Sequence, residues 1–139
     1  MLRQIIVSVA VSLGNIAIHA IVMTAVLWAA RIASGRATSY QPLRRIAVMT
    51  AAVSVLMAAH IAEVIVWSFA YVILGVAPPG TDLLYFAFVN YTTLGYGDVT
   101  PLQQWRLLGP MTAMNGVLLF GWSTAVLADI VQRLRSVED

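Results

Sequence analysis

Three long runs of apolar residues, separated by short polar or irregular segments, dominate the chain. They extend over about Gln4–Ala30, Ile46–Leu74 and Leu107–Val131. An α-helix needs about 20 consecutive apolar residues to cross the hydrocarbon core of a bilayer, and each run exceeds that length. The pattern therefore predicts three transmembrane helices, which tilt or project beyond the bilayer because of their extra length.

The first apolar run has a second interpretation, as a cleaved signal peptide. Such peptides carry an apolar core of about 7–15 residues that follows a positively charged segment. This run is longer, and four arginines follow it within residues 31–45. We therefore expect a retained transmembrane helix over residues 1–33 and a linker over residues 34–45.

The arginines predict which side of the membrane each segment faces. All the basic residues are Arg, and besides those of the linker, Arg133 and Arg135 lie near the C-terminus. Because positively charged segments remain in the cytoplasm, we expect the linker and the C-terminus to be cytoplasmic. The N-terminus and residues 75–106 then face outward, which is consistent with three spans in the plasma (cytoplasmic) membrane.

The composition excludes several classes of protein. Only 10% of the 139 residues are charged and 60% are apolar, whereas about 25% of an ordinary soluble domain is charged. A soluble domain and a disordered chain are therefore excluded, and a net charge of +2 is too small to indicate nucleic-acid binding. With two His and no Cys, no nucleophile–base constellation indicates an enzyme, and we expect no cofactor.

The segment between the second and third apolar runs differs from a span. A turn that contains Pro and Gly occupies residues 76–80, and Thr81 and Asp82 then offer an N-cap and a first-turn acid. Leu83–Thr92 would form a helix of about 15 Å, half of a bilayer. This helix is too apolar for an exposed loop, so we predict that it re-enters the membrane, beside irregular backbone that lines a wet cavity or is buried in protein.

Two glycines separated by one residue follow this short helix, in the order Thr93-Leu94-Gly95-Tyr96-Gly97. Glycine readily adopts positive φ, and alternating handedness turns successive carbonyl oxygens to the same side. Four such segments around one axis would stack rings of oxygen ligands that replace the hydration shell of a monovalent cation. One chain supplies one segment, so a homotetramer is expected.

The octapeptide Tyr91–Asp98 (YTTLGYGD) resembles the signature sequence of the potassium channel family. The resemblance covers about Ile46–Leu134. It implies a pore domain over residues 46–135, with an outer helix (46–75), a pore helix (82–92), a selectivity filter (93–98) and an inner helix (106–134). It also implies that five residues form the ion-binding part of the filter: Thr93, Leu94, Gly95, Tyr96 and Gly97. The backbone carbonyls of the first four would bind K⁺ as the permeant ion. The extra helix over residues 1–33 has no counterpart in the minimal two-helix pore.

Two positions near the implied filter depart from the family pattern. Leu94 stands where Val is usual, which is expected to preserve selectivity because the carbonyl is the ligand. Val89 stands where some members have a Glu behind the filter, so Asp98 lacks that partner. We expect Tyr85 to donate a hydrogen bond to Asp98 instead, from the same subunit or a neighbour; the alternative is a solvated Asp98.

The third apolar run contains Gly116–Gly121 (GVLLFG), which is similar to a motif of some inner helices in that family. The resemblance implies a gating hinge at Gly116, whereas close helix packing also selects small residues, and both interpretations stay open. It further implies a cavity wall formed by Val117, Phe120, Thr124 and Ala128. Asp129 either joins a ring of carboxylates at the cytoplasmic mouth or pairs with Arg133 four residues on.

Glu63 is the only charged residue well inside a predicted span, and intramembrane carboxylates are rare and often functional. His60 lies one turn away, and three polar residues lie at similar depth: Asn15, His19 and Asn115. We expect a hydrogen-bonded cluster that bridges the first helix to the pore. It either registers the helices or senses protons or channel state; a metal site is disfavoured, since His60 and Glu63 alone supply too few ligands.

The favoured function is a K⁺-selective channel subunit that conducts passively across the membrane. The same segment in a looser conformation would give a weakly selective cation channel. A chain that assembles with other channels without conducting would be a regulatory membrane subunit. In the favoured case, the partners are K⁺ ions, the lipid bilayer and further copies of the same chain, with no nucleic acid.

Overall fold

The computed structural model describes residues 1–34 and 41–135, which contain only helices as regular secondary structure. The α-helices are α1 (Leu2–Ser34), α2 (Gln41–Leu74), α3 (Leu83–Tyr91) and α4 (Leu108–Arg135), and a 3₁₀ turn covers Gln103–Trp105. Three stretches are long and apolar enough to span a membrane: Leu2–Ala33, Gln41–Leu74 and Gln103–Arg135. The predicted all-helical architecture with three spanning helices is confirmed.

Several helix ends differ from their predicted positions. α2 begins at Gln41, five residues before the predicted outer helix, because Pro42 suits a first helical turn, where no intrahelical N–H donor is needed. The end of the predicted linker (34–45) is therefore helical, and Ser34 belongs to α1. Residues 35–40, the centre of that linker, lie outside the described residues. The predicted inner helix (106–134) begins later, at Leu108, because the 3₁₀ turn precedes it.

α2 ends in a Schellman motif centred on Gly75. The Gly75 amide donates to the Val72 carbonyl (3.2 Å), and the Val76 amide donates to the Tyr71 carbonyl (3.1 Å). Gly75 has a φ of +58°, a conformation that glycine adopts without the steric cost of a Cβ atom. The motif stops the helix at the position where the sequence passes from apolar residues to the Pro-containing turn.

α1 and α4 run in the same direction. The Leu107 amide donates to Gln4 Oε1 (2.9 Å) near the start of both helices, and Asn15 Nδ2 donates to Asn115 Oδ1 (3.2 Å) further along. The N-terminus of α1 therefore lies at the same end of the bundle as the segment between α3 and α4.

α2 runs antiparallel to α1 and α4. Arg45, near its start, donates to the carbonyl oxygen of Leu134 near the end of α4 (3.2 Å). Trp67, near its end, donates to Asn115 Oδ1 in the first half of α4 (3.0 Å). The bundle therefore has one end that holds α3, which we call the α3 end, and an opposite end that holds Arg45.

Two apolar clusters and a polar layer between them form the interior. The cluster at the α3 end is rich in large aromatic side chains: Trp67, Tyr71, Phe86, Tyr91 and Trp105. The cluster at the other end is aliphatic, with Met23, Val26, Leu56, Val126 and Ile130. Several buried polar residues lie between these clusters along α1, α2 and α4, among them His19, Glu63 and Ser123. Because lipid tails are as apolar as these side chains, packing and interhelical hydrogen bonds hold such helices together.

Candidate functional site

α3 is fixed at its start by an acidic N-cap. Asp82 Oδ1 accepts hydrogen bonds from the amides of Leu84 (3.1 Å) and Tyr85 (3.0 Å). Asp82 is therefore the N-cap itself, and Thr81, the predicted cap, instead donates its hydroxyl to the Pro78 carbonyl (2.8 Å). The carboxylate satisfies two amides that the first turn leaves unpaired and complements the positive end of the helix dipole.

α3 ends in a second Schellman motif, with a threonine where glycine is usual. The Thr93 amide donates to the Asn90 carbonyl and the Leu94 amide to the Val89 carbonyl, both at 3.0 Å. Thr93 has a φ of +61°, which is an outlier for a β-branched residue and costs about 1–2 kcal/mol. Strain of this kind persists where surrounding contacts enforce it, and it is concentrated at functional sites.

The backbone alternates in handedness along residues 93–98, which we call the glycine loop. Thr93, Gly95 and Gly97 have positive φ values of +61°, +59° and +76°, whereas Leu94 and Tyr96 between them do not. The two glycines thus occupy positions that a residue with a Cβ adopts only at a cost. This is the alternation that the spacing of the glycines led us to expect.

Four successive carbonyl oxygens of the glycine loop lack a backbone partner among the described residues. Within residues 1–34 and 41–135, the carbonyls of Thr93, Leu94, Gly95 and Tyr96 accept no backbone hydrogen bond. The Gly95 amide, by contrast, points back to the Val89 carbonyl (3.4 Å). The loop therefore presents four successive unpaired oxygen ligands in a segment that is exposed in the single chain, the type of ligand that a hard cation prefers.

Asp98 closes the glycine loop through a hydrogen bond to α3. Tyr85 donates its hydroxyl to Asp98 Oδ2 (2.6 Å), and the Val99 amide donates to Asp98 Oδ1 (3.0 Å). Of the two sequence-based alternatives, the structure contains the hydrogen-bonded one, formed within one chain. The bond to the Asp98 carboxylate raises the pKa of Tyr85 from 10.0 to about 12, because ionised Tyr85 could not donate this proton.

At Gly116, α4 lies so close to α3 that there is no room for a Cβ atom. A Cβ atom at this position would overlap the carbonyl oxygen of Tyr91 and lie 3.3 Å from Tyr91 Cδ1, whereas a Cβ at Gly121 would meet nothing within 4 Å. Close helix packing is therefore what the structure contains at Gly116. The four predicted cavity residues share an exposed face of α4: Val117, Phe120, Thr124 and Ala128. The Phe120 ring also packs against the rings of His60 and Tyr91.

Asp129 lies on the same helix as its predicted ion-pair partner and contacts it. Arg133 Nε donates to Asp129 Oδ2 (2.6 Å), and both side chains remain more than one-third exposed. Of the two alternatives for Asp129, the pairing four residues apart is present in the single chain. A pair this exposed contributes little to stability.

Four buried side chains form a closed hydrogen-bonded ring, which we call the histidine ring: His19, His60, Glu63 and Ser123. Glu63 Oε1 lies 2.7 Å from His19 Nδ1, and Glu63 Oε2 lies 3.1 Å from His60 Nδ1. On the opposite side, Ser123 Oγ lies 3.0 Å from His60 Nε2 and 3.3 Å from His19 Nε2. The ring joins α1, α2 and α4.

Tyr91 connects the histidine ring to α3. Its hydroxyl donates to Glu63 Oε2 and lies 3.0 Å from His60 Nδ1. Sequence reasoning treated Tyr91 only as part of the octapeptide and did not identify Ser123. The position of Ser123, about two helical turns after the buried Asn115, was an available signal, whereas the direction of the Tyr91 side chain was not.

Asn15 and Asn115 lie beside the ring rather than in it. Asn15 Nδ2 donates to the backbone carbonyl of Glu63 (3.2 Å) and to Asn115 Oδ1 (3.2 Å), and Trp67 Nε1 donates to the same Asn115 oxygen (3.0 Å). Of the residues expected to contact the Glu63 carboxylate, the structure thus brings His19 and His60 to it. The two asparagines form a second polar contact between α1, α2 and α4.

Comparison with known proteins bears on the segment that holds these features. The sequence pattern of a family described as "Ion channel" matches residues 59–133, more than half of the chain. No curated protein and no solved structure matches the chain. The matched segment contains the second half of α2, α3, the glycine loop and most of α4. With its three helices of membrane-spanning length, the chain is an integral membrane protein, and it belongs to the ion channel family.

Proposed function

We propose that the chain is a subunit of a homotetrameric, K⁺-selective channel that conducts passively through the glycine loop. The observation that carries the proposal is the alternation of φ at Thr93, Gly95 and Gly97, together with the free carbonyls of residues 93–96. Rings of such carbonyls replace the hydration shell of K⁺ in a filter. α3 ends directly before the loop, so the negative end of its dipole favours a cation nearby.

The exposed surface of the single chain supports assembly of four copies. Leu94 and Tyr96 in the glycine loop are 54% and 66% exposed, although both are large apolar side chains that membrane proteins cover with protein or lipid. One chain contributes one loop, and cyclic symmetry closes a ring of identical subunits. The exposed face of α4 that begins at Val117 then lines the cavity below the loop.

The distribution of arginines supports an orientation in the plasma (cytoplasmic) membrane with the N-terminus outside and the C-terminus in the cytoplasm. Five described arginines lie at the end of the bundle away from α3, at Arg31, Arg44, Arg45, Arg133 and Arg135. Two lie at the α3 end, where Arg3 stacks on the Trp105 ring at 4.9 Å. Because the more positive end remains in the cytoplasm, the glycine loop faces the outside.

K⁺ flux into liposomes that contain the purified protein tests this proposal. We expect flux that barium blocks in the native protein and at least a tenfold lower flux in Gly95→Ala, because φ is +59° at Gly95. Gly14→Ala is the matched control, since a Cβ at Gly14 meets nothing within 4 Å, and its flux should equal that of the native protein. Equal flux in Gly95→Ala and native protein would contradict the filter assignment, and no flux in native protein would favour a regulatory subunit.

A further inference from the structure

Glu63 is a fully buried carboxylate without a permanently charged partner. Its side chain is 0% exposed, and its side-chain contacts in the described ranges are His19, His60 and Tyr91. Buried charges in proteins are paired or coordinate a metal ion. An ionised Glu63 therefore needs a cation beside it, which either a protonated histidine or a metal ion supplies.

Three donor groups converge on one point beside Glu63. The nitrogen atoms of His19 and His60 and a carboxylate oxygen of Glu63 all lie within 4.8 Å of one another, and all three residues are buried. Both imidazoles turn the same atom, Nδ1, toward the carboxylate. Two imidazoles with one carboxylate are a common ligand set for zinc and related divalent ions.

Ser123 lies on the side of the two imidazoles that faces away from Glu63. Metal-bound histidines usually have a hydrogen-bond partner on that side. Its oxygen contacts Nε2 of both His19 and His60. A hydroxyl offers one donor and two acceptor lone pairs, so it can satisfy both imidazoles only if at least one Nε2–H donates to it. With both Nδ1 atoms bound to a metal, both Nε2–H groups donate to Ser123, the arrangement that metal-bound histidines usually show.

We infer that His19, His60 and Glu63 bind one divalent transition-metal ion per chain, of the chemical class of Zn²⁺. His19 supplies the third ligand from α1, which sequence reasoning could not place beside His60 and Glu63. His19 also lies outside residues 59–133, the segment that matches the ion channel family. The ion would fasten the N-terminal helix to α2, next to the Tyr91 hydroxyl. The site uses no atom of the glycine loop.

The edge of His60 offers the ion a route to the site. The His60 side chain is 10% exposed, and its ring lies 4.4 Å from the ring of Phe120, which belongs to the exposed face of α4. An ion that reaches that face therefore lies close to the His60 ring, whereas His19 and Glu63 are fully buried.

Zn²⁺ titration of the purified, chelator-treated full chain tests the inference by calorimetry and by metal analysis after gel filtration. We expect one Zn²⁺ per chain and at least a tenfold weaker affinity in His19→Ala and Glu63→Gln. Ser123→Ala should weaken binding by about 10–100-fold, as expected for an outer partner. Asn15→Ala is the matched control, because Asn15 is equally buried on α1 but is not a ligand, and it should bind Zn²⁺ like the native chain.

X-ray absorption of the Zn²⁺-loaded native chain identifies the metal ligands without any substitution. It therefore does not depend on whether a variant folds. The spectrum should show nitrogen and oxygen ligands at about 2.0–2.2 Å, with imidazole scattering. Absence of stoichiometric Zn²⁺, a spectrum without imidazole, or equal loss in His19→Ala and Asn15→Ala would overturn the inference. None of these measurements depends on ion flux, so their outcome is separate from that of the channel proposal.

Discussion

At the scale of single residues, Tyr91 links the glycine loop to the interior. Its hydroxyl donates to Glu63, its carbonyl oxygen covers Gly116, and its chain continues through Thr92 into the strained Thr93. Tyr91 therefore connects α2, through its side chain, and α4, through its backbone, to the residue at which the loop begins.

Asp98 holds the other end of the loop through Tyr85, and Tyr85→Phe removes that bond. We expect K⁺ current in planar bilayers to decay faster in Tyr85→Phe, because the 2.6 Å hydrogen bond no longer fixes the carboxylate. Identical time courses in the variant and the native protein would contradict this role.

The same bond gives a pH prediction for the native protein. The hydroxyl donates only while it is protonated, and the pKa of Tyr85 is raised from 10.0 to about 12. The contribution of the bond is therefore complete below pH 10 and is lost as the pH rises through about 12. Current decay measured between about pH 7 and pH 9 should accordingly show no change that depends on Tyr85; a change that Tyr85→Phe abolishes would argue against this assignment.

At the scale of helices, the contact between α3 and α4 depends on the absence of a side chain at Gly116. Gly116→Ala should destabilise the protein by about 1–3 kcal/mol through overpacking, because the new Cβ overlaps the Tyr91 carbonyl. Gly121→Ala in the same helix has open space and should stabilise it by about 0.5–1 kcal/mol through helix propensity.

Thermal unfolding of both glycine variants in detergent separates the two interpretations of Gly116. Packing predicts shifts of opposite sign. A hinge without close packing predicts that both variants gain stability and that only gating differs. Equal stabilisation of the two variants would therefore contradict the packing interpretation.

The helices could be predicted from sequence because apolar length alone determines a membrane span. The start of α2 at Gln41 could not, because the polar residues before Ile46 resemble a linker in composition. The positive φ values of Gly95 and Gly97 could be expected from their spacing, whereas that of Thr93 could not, because a β-branched residue rarely adopts it. The closure of the histidine ring through Ser123 could not be predicted, because it depends on how α1, α2 and α4 rotate about their axes.

At the scale of the whole molecule, the N-terminus and the glycine loop share one end of the bundle, as the bond between Gln4 and the Leu107 amide shows. The C-terminal end of α4 lies at the other end, beside Arg45. The proposed orientation therefore depends only on which of these two ends of the bundle faces the cytoplasm.

The chain has no cysteine. A cysteine introduced at one position is therefore the only thiol of this protein that a labelling reagent can modify. We expect a membrane-impermeant maleimide to label Gln103→Cys in intact cells, whereas Gln132→Cys reacts only after permeabilisation. Both positions are exposed in the described structure. The reverse pattern would contradict the proposed orientation.

The reversal potential with K⁺ on one side of a bilayer and Na⁺ on the other measures directly whether the glycine loop selects K⁺. If the free carbonyls of residues 93–96 form a K⁺ filter, the potential should lie far from zero, by about 59 mV for each tenfold preference for K⁺. A reversal potential near zero in a conducting, barium-sensitive preparation would contradict the claim and identify a weakly selective cation channel.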